Sequence, residues 1–140
     1  MRSAGVAQFV DTNIWVYAHV TGWADRKSET ARGLLGELDD PVISTQVLGE
    51  YSAVMIRNHL PDAQVRANLE EMMGMCRTQS VSGETVRYAW EVRRRYGFSF
   101  WDCQMIAAAL EAGCDRLYTE DLQHDQTIEG RLNIVSPFAG

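Results

Sequence analysis

The sequence predicts an α/β fold: a single domain, residues 1–140, with helices on both faces of a short, mainly parallel sheet. Short apolar runs of strand length alternate along the chain with longer segments of helical periodicity. This alternation is typical of a parallel sheet covered by helices on both faces. The chain has 140 residues, of which 46% are hydrophobic, and that is enough apolar material for one buried core.

The first part of the chain contains two predicted strands. Val6–Val10 and Pro41–Ser44 are short, largely apolar runs of the length that a buried strand needs. A short helix is expected from about Thr12. Apolar side chains recur at helical spacing in Asp25–Leu38 and Thr45–Leu60, so both segments are predicted to be helices with one apolar side.

The rest of the chain is divided by proline and glycine. Pro61 suits the first turn of a helix, and Gly97 and Gly113 suit the positions just after a helix ends. The elements predicted on this basis are the helices Pro61–Cys76, Glu84–Tyr96 and Phe100–Ala112 and the strands Thr78–Ser82, Arg116–Tyr118 and Leu132–Val135.

Charge and composition exclude several classes of protein. The net charge of −6 argues at first against a nucleic-acid partner, but the distribution of charge matters more than its sum. Lys27 is the only lysine, which excludes mechanisms that need a lysine elsewhere in the chain. No apolar run approaches the roughly 20 residues of a membrane-spanning helix, and the three cysteines lack CxxC spacing. We therefore expect a soluble, cytoplasmic protein without a disulfide framework.

Two aspartates follow predicted strands. Asp11 comes directly after the first strand, and Asp121 comes three residues after Tyr118. Ligands of open parallel sheets bind at the carboxyl ends of the strands, where both carboxylates would lie. Taken singly, each has a simpler explanation, because Asp11 suits a helix N-cap and Asp121 suits a turn.

Two further carboxylates lie on predicted helices. Glu50 is about 60° from Val47 and about 40° from Val54 around the helix axis, so it points with the apolar stripe. A buried ion pair with an arginine is the alternative explanation. Asp102 stands three residues after Ser99, in a pattern that resembles a capping box. The aromatic residues around it predict a partly dry environment.

The four carboxylates have a joint explanation as ligands of a hard divalent cation. Oxygen-only ligands suit Mg²⁺ or Mn²⁺, and a cation would offset their mutual repulsion, activate water and neutralise charge on a phosphate. A phosphoaspartyl phosphatase or receiver-like domain also places acids at strand ends. That class requires a downstream lysine, however, and none follows Lys27.

Four segments, in this order, resemble the PIN-domain ribonucleases and specifically the VapC-type toxins of type II toxin–antitoxin pairs. They are FVDTNIWVYA, STQVLGEY, FSFWDCQMIAAAL and LYTEDLQHDQTIEGRLNIVSPF. Asp125 is a departure, because the family often has glycine there. The residues that match the family's acidic quartet are Asp11, Glu50, Asp102 and Asp121. Those that match its polar helpers are Thr12, Asn13 and Thr119.

The resemblance implies an α/β/α sandwich that hydrolyses RNA with Mg²⁺ or Mn²⁺, leaving a 5′-phosphate and a 3′-hydroxyl. It also implies a homodimer and neutralisation by a small cognate antitoxin. A PIN-like interaction module without catalysis remains the alternative. We further predict that Arg93, Arg94 and Arg95, the only basic triplet, contact RNA; the alternative is that they are solvated charges favoured at a helix C-terminus.

Overall fold

A computed structural model describes residues 7–20 and 25–139 of the chain. This part of the protein contains six helices and six strands, and apart from β5 they follow one another in the predicted order. The strands are β1 (Gln8–Val10), β2 (Pro41–Ser44), β3 (Arg77–Gln79), β4 (Arg116–Tyr118), β5 (Thr127–Ile128) and β6 (Leu132–Val135). The helices are α1 (Thr12–His19), α2 (Asp25–Glu37), α3 (Thr45–Arg57), α4 (Asp62–Met75), α5 (Gly83–Tyr96) and α6 (Phe100–Glu111).

The strands form one sheet in the order β3-β2-β1-β4-β6-β5. All neighbouring pairs are parallel except β5 and β6, which are antiparallel. Because crossovers between parallel strands are right-handed, the four helices that link β1, β2 and β3 lie on one face of the sheet. The chain then crosses back from β3 to β4, so α5 and α6 cover the opposite face. The predicted α/β/α sandwich is confirmed.

The core lies between the sheet and its helices. β1 and β2 are buried along their whole length, as expected for inner strands covered on both faces. Every residue of α6 from Cys103 to Leu110 is buried, so this helix is enclosed on all sides. Its burial fixes the position of its first turn, which carries Asp102.

Some predicted boundaries were wrong. α3 ends at Arg57, three residues earlier than expected, because His59 has a left-handed φ of 64° that interrupts the helix before Pro61. β3 covers Arg77–Gln79 in place of the expected Thr78–Ser82. The two-residue strand β5 was not predicted. Val6, the expected start of the first strand, lies outside the described residues.

None of the helices in the described part of the chain is long and apolar enough to cross a membrane.

Candidate active site

The sheet brings the two strand-end aspartates to the same edge. β1 and β4 are neighbours, and the backbone N–H of Asp11 donates to the carbonyl of Tyr118 at 3.0 Å, which extends their pairing by one step. One cavity of about 490 Å³ lies at this edge. All four predicted acids line it: Asp11, Glu50, Asp102 and Asp121.

Asp11 is the most enclosed of the four carboxylates and is only 5% exposed. Its Oδ1 accepts a hydrogen bond from the backbone N–H of Thr12 at 2.6 Å, so it does cap α1, as the simpler explanation requires. Its Oδ2 accepts a second from the Thr119 hydroxyl at 2.7 Å. Burial nevertheless raises the pKa of Asp11 to about 7, with smaller contributions from the charges of Asp121 and Glu50. A cap alone does not require such an unfavourable setting for a carboxylate.

The predicted polar helpers tie the acids together. The Thr12 hydroxyl donates to Oε1 of Glu50 at 3.0 Å, and the Asn13 amide is 3.4 Å from Asp11 Oδ2 and 3.2 Å from Asp121 Oδ2. No arginine forms an ion pair with Glu50 among the described residues, so the alternative explanation of that residue does not apply. Neutral donors therefore orient the carboxylates and leave their charge uncompensated.

Asp121 sits at the rim of the cavity. Its backbone N–H donates to the Thr119 hydroxyl at 3.1 Å, so the same hydroxyl that binds Asp11 also positions Asp121. Partial burial and the charges of Asp102, Glu120 and Glu50 raise the pKa of Asp121, and the Asn13 hydrogen bond opposes them. The carboxylates are thus close enough to perturb one another.

Asp102 has a different local role from the one its capping pattern indicates. Ser99 caps α6 by accepting the backbone N–H of Asp102 at 3.2 Å. The carboxylate of Asp102 has no hydrogen-bond or ion-pair partner among the described residues. The cap therefore depends on the Ser99 side chain, and the Asp102 carboxylate remains available to the cavity.

Glu120, although adjacent to Asp121, belongs to another cluster. Its Oε2 pairs with Lys27 at 2.7 Å, and its Oε1 accepts the Tyr17 hydroxyl at 2.7 Å. The only lysine of the chain is therefore committed to a carboxylate outside the quartet. This pair ties α2 to the loop that carries Asp121.

The donor set fits a hard divalent cation. The four candidate ligands offer only oxygen atoms. Burial, and to a lesser extent neighbouring like charges, raises the pKa of Asp11 and Asp121, a cost that a cation would offset. Among the described residues, no group of three His, Cys, Asp or Glu side chains is close enough together to hold one metal ion. In the metal-free protein the carboxylates repel one another, and a bound cation would offset that repulsion.

The arginine triplet lies away from this cavity. Arg94 pairs with Glu91 at 2.9 Å and Arg95 pairs with Glu129 at 2.6 Å. Arg93 donates to the carbonyl of Phe98. None of the three lines the cavity, and their contact with RNA stays a prediction.

Several residues that line the cavity were not among the predicted site residues, and three of them bear on its chemistry. Gln46 donates to Oε2 of Glu50 at 3.4 Å, and Arg57 and Trp101 also line the cavity. Arg57 follows Glu50 by seven residues on one helix, a spacing that keeps both on the same face. That spacing was the available signal for Arg57. Trp101 directly precedes Asp102, but nothing in the sequence indicates that it faces the same cavity.

Comparison with known proteins agrees with the geometry. The family model of the PIN domain matches residues 9–129. No curated protein sequence matches the chain. The solved toxin VapC20 of Mycobacterium tuberculosis, described as cleaving the sarcin–ricin loop, is similar with a TM-score of 0.71 and 25% identity. That match covers 89% of this chain and 98% of the toxin.

Two more distant structures share the fold. A toxin–antitoxin complex from Klebsiella pneumoniae gives a TM-score of 0.70 at 17% identity and covers 94% of this chain and 98% of the other. VapBC2 from Rickettsia felis, solved with a promoter DNA fragment, gives 0.65 at 18% identity, with coverage of 94% and 100%. With a family model that spans most of its length and VapC toxins among its structural neighbours, the chain belongs to the PIN-domain family.

Proposed function

We propose that this protein is a VapC-type toxin that hydrolyses RNA phosphodiester bonds with Mg²⁺ or Mn²⁺. The observation that carries the proposal is the convergence of four carboxylates, from two strand ends and two helices, on one cavity. PIN-domain and VapC proteins are nucleases. The similarity to VapC20, a toxin described as cleaving the sarcin–ricin loop, supports RNA as the substrate.

The hydrogen bonds divide the four acids into two kinds. Both carboxylate oxygens of Asp11 and both of Glu50 accept hydrogen bonds from Thr119, Thr12 and Gln46. Asp11 and Glu50 are therefore held in place and suit fixed metal ligands. Asp121 has only the Asn13 contact on its carboxylate, and Asp102 has none, so these two can adjust to a bound ion and to substrate.

A bound divalent cation would polarise the scissile phosphate and lower the pKa of an attacking water. The chain's own residues orient that chemistry. No histidine or lysine lines the cavity within the described residues, so a carboxylate of the quartet is the group available to accept the proton of the attacking water. Attack in line with the leaving 3′-oxygen leaves a 5′-phosphate.

We also propose that a small cognate antitoxin masks the site and that the toxin forms a homodimer. A nuclease of this kind would harm its own cell, and two structural neighbours are toxin–antitoxin assemblies. Co-expression with the adjacent small gene should yield a complex that no longer cuts RNA. Full cleavage activity in the presence of every neighbouring gene product would contradict the antitoxin proposal, and a monomeric mass in solution would contradict the dimer.

The test of the function is to sequence new RNA ends after brief expression in cells. The proposal predicts new 5′-phosphate ends at defined sites, and none with Asp11→Asn at equal protein level. A non-catalytic PIN-like module would give no new ends with either protein. A phosphatase would release inorganic phosphate from phosphomonoesters, which this site is not expected to do.

A further inference from the structure

The rim of the acidic cavity carries one cation and one exposed aromatic ring. Arg57 is the last residue of α3, and Trp101 lies in the first turn of α6. Both line the cavity that holds the four acids. Neither is needed to hold a metal ion, so their presence calls for a separate explanation.

Arg57 is available to an external anion. It is exposed and forms no hydrogen bond or ion pair with any described residue, although four carboxylates share its cavity. The helix dipole favours a cation in the last turn of a helix. That preference does not explain why the Arg57 side chain lies on the same helix face as Glu50 and lines the cavity. Glu50 and Arg57 are about 10 Å apart along the helix axis, because each residue rises about 1.5 Å. That separation places Arg57 beyond the metal ligands and within reach of a neighbouring phosphate.

Trp101 offers a stacking surface next to the same ligands. It is 62% exposed, which is unusual for the largest apolar side chain, and it directly precedes Asp102. Its ring packs edge-to-face against Phe100 at 5.4 Å between centroids. Its carbonyl accepts a hydrogen bond from Gln46 at 3.2 Å, which ties its backbone to α3. The indole is thus held in position but not covered.

We propose that Arg57 and Trp101 bind the RNA substrate together: Arg57 holds a phosphate that flanks the scissile one, and Trp101 stacks on an adjacent unpaired base. This inference rests on the proposed ribonuclease function and defines its substrate further, as RNA whose bases are unstacked and single-stranded at the cleavage site. Aromatic stacking tolerates any base, because every base has a π-face. In duplex RNA the bases are paired and stacked, so Trp101 would have no partner there.

Arg57 favours RNA as the occupant of these two residues, because its guanidinium pairs with a phosphate. The cavity is lined by four carboxylates and Arg57 is its only cationic side chain in the described residues, so an approaching polyanion needs that positive charge. An antitoxin that covers the cavity could contact the same residues. That outcome is distinguishable, because it would change antitoxin binding and leave RNA binding unchanged.

The experiment measures binding of a short single-stranded RNA and of its blunt duplex by fluorescence anisotropy over a series of salt concentrations. All variants carry Asp121→Asn, which is expected to block cleavage equally. Arg57→Gln should weaken single-strand binding and lower the slope of log K against log salt by about 0.7, the value for one lost phosphate contact. Trp101→Ala should weaken it by about 5- to 150-fold, whereas Trp101→Phe should retain most of the affinity.

Two matched controls separate the rim from the rest of the surface. Arg66 is exposed on α4, and Trp90 is 59% exposed, but neither lines the cavity. Arg66→Gln and Trp90→Ala should leave both the affinity and the salt slope unchanged. Duplex binding should be weaker than single-strand binding and insensitive to Trp101→Ala.

Cleavage of the same RNA by the parent chain is measured in parallel. Cleavage with unchanged binding in Arg57→Gln and Trp101→Ala would overturn the inference and leave the ribonuclease proposal standing. Equal losses in the two control variants, or loss of antitoxin binding without loss of RNA binding, would also overturn it. Failure of the parent chain to bind or cut RNA would overturn the function and the inference together.

Discussion

The raised pKa of Asp11 predicts that the metal-free protein loses stability as the pH rises. Burial raises this pKa from 3.8 to about 7. The folded state therefore binds the proton more tightly than the unfolded state, and folding is favoured at low pH. This contribution is fully present below about pH 4 and is lost as the pH rises through about 7. Since one pKa unit corresponds to about 1.4 kcal/mol, the change is on the order of 4 kcal/mol.

The assay is urea unfolding in EDTA between pH 4 and pH 8, for the parent chain and for Asp11→Asn. Asparagine does not titrate, so the difference between the two free energies of unfolding isolates Asp11 from the other acids. The parent chain should lose stability relative to the variant by up to about 1.4 kcal/mol per pH unit within this window. Adding Mg²⁺ at pH 8 should stabilise the parent chain more than the variant, because a ligand stabilises the state that binds it. A difference that stays flat from pH 4 to pH 7 would show that the pKa of Asp11 is not raised in the folded state.

Four further variants test separate parts of the protein. Asp102→Asn should leave the metal-free protein as stable or more stable, because it removes one of several like charges, and should nearly abolish cleavage and reduce the gain in melting temperature on adding Mg²⁺. Glu120→Gln, outside the quartet, should keep RNA cleavage. A metal-free Asp102→Asn protein that is less stable and still cuts RNA would contradict the assignment of Asp102 as a metal ligand. Thr119→Val should cost roughly 1.5–3 kcal/mol in urea unfolding, because it removes a buried hydrogen bond to the Asp11 carboxylate; an unchanged free energy of unfolding would contradict this. Replacing Arg93–Arg95 with Gln should weaken RNA binding and flatten its salt dependence, though less than Arg57→Gln does, since two of the three already pair with glutamates; an unchanged slope would remove the triplet from RNA docking.

The fold was predictable because its signals are local. Apolar runs mark the inner strands, and caps and glycines mark most helix ends. Gly97 has a left-handed φ of 74° after α5, as its position predicts. β5 could not be found, because a two-residue edge strand has no periodicity and depends on its pairing with β6. The end of α3 was missed because the left-handed conformation of His59 is not a property of histidine alone.

The site was predictable only as a set of candidate residues. Asp11 and Asp121 follow strands, and the sheet order that makes those strands neighbours comes from tertiary structure. The sequence pattern indicates Ser99 as the cap of α6, and the structure agrees, but the lack of a partner for the Asp102 carboxylate is visible only in three dimensions. Arg57 and Trp101 were missed because an exposed cation and an exposed aromatic ring are common on surfaces. The seven-residue spacing from Glu50 was a signal for Arg57, whereas only the cavity connects Trp101 to the acids.

The most direct test of the central claim is RNA cleavage by the purified chain as Mg²⁺ is titrated, with Glu50→Gln as the matched variant. Glu50 is half-buried and reached by two neutral donors, so its replacement by an amide of the same shape should preserve the fold. We expect metal-dependent cleavage that leaves 5′-phosphate ends, abolished by EDTA and nearly abolished in Glu50→Gln. Cleavage that persists undiminished in EDTA, or in a folded Glu50→Gln protein, would contradict it.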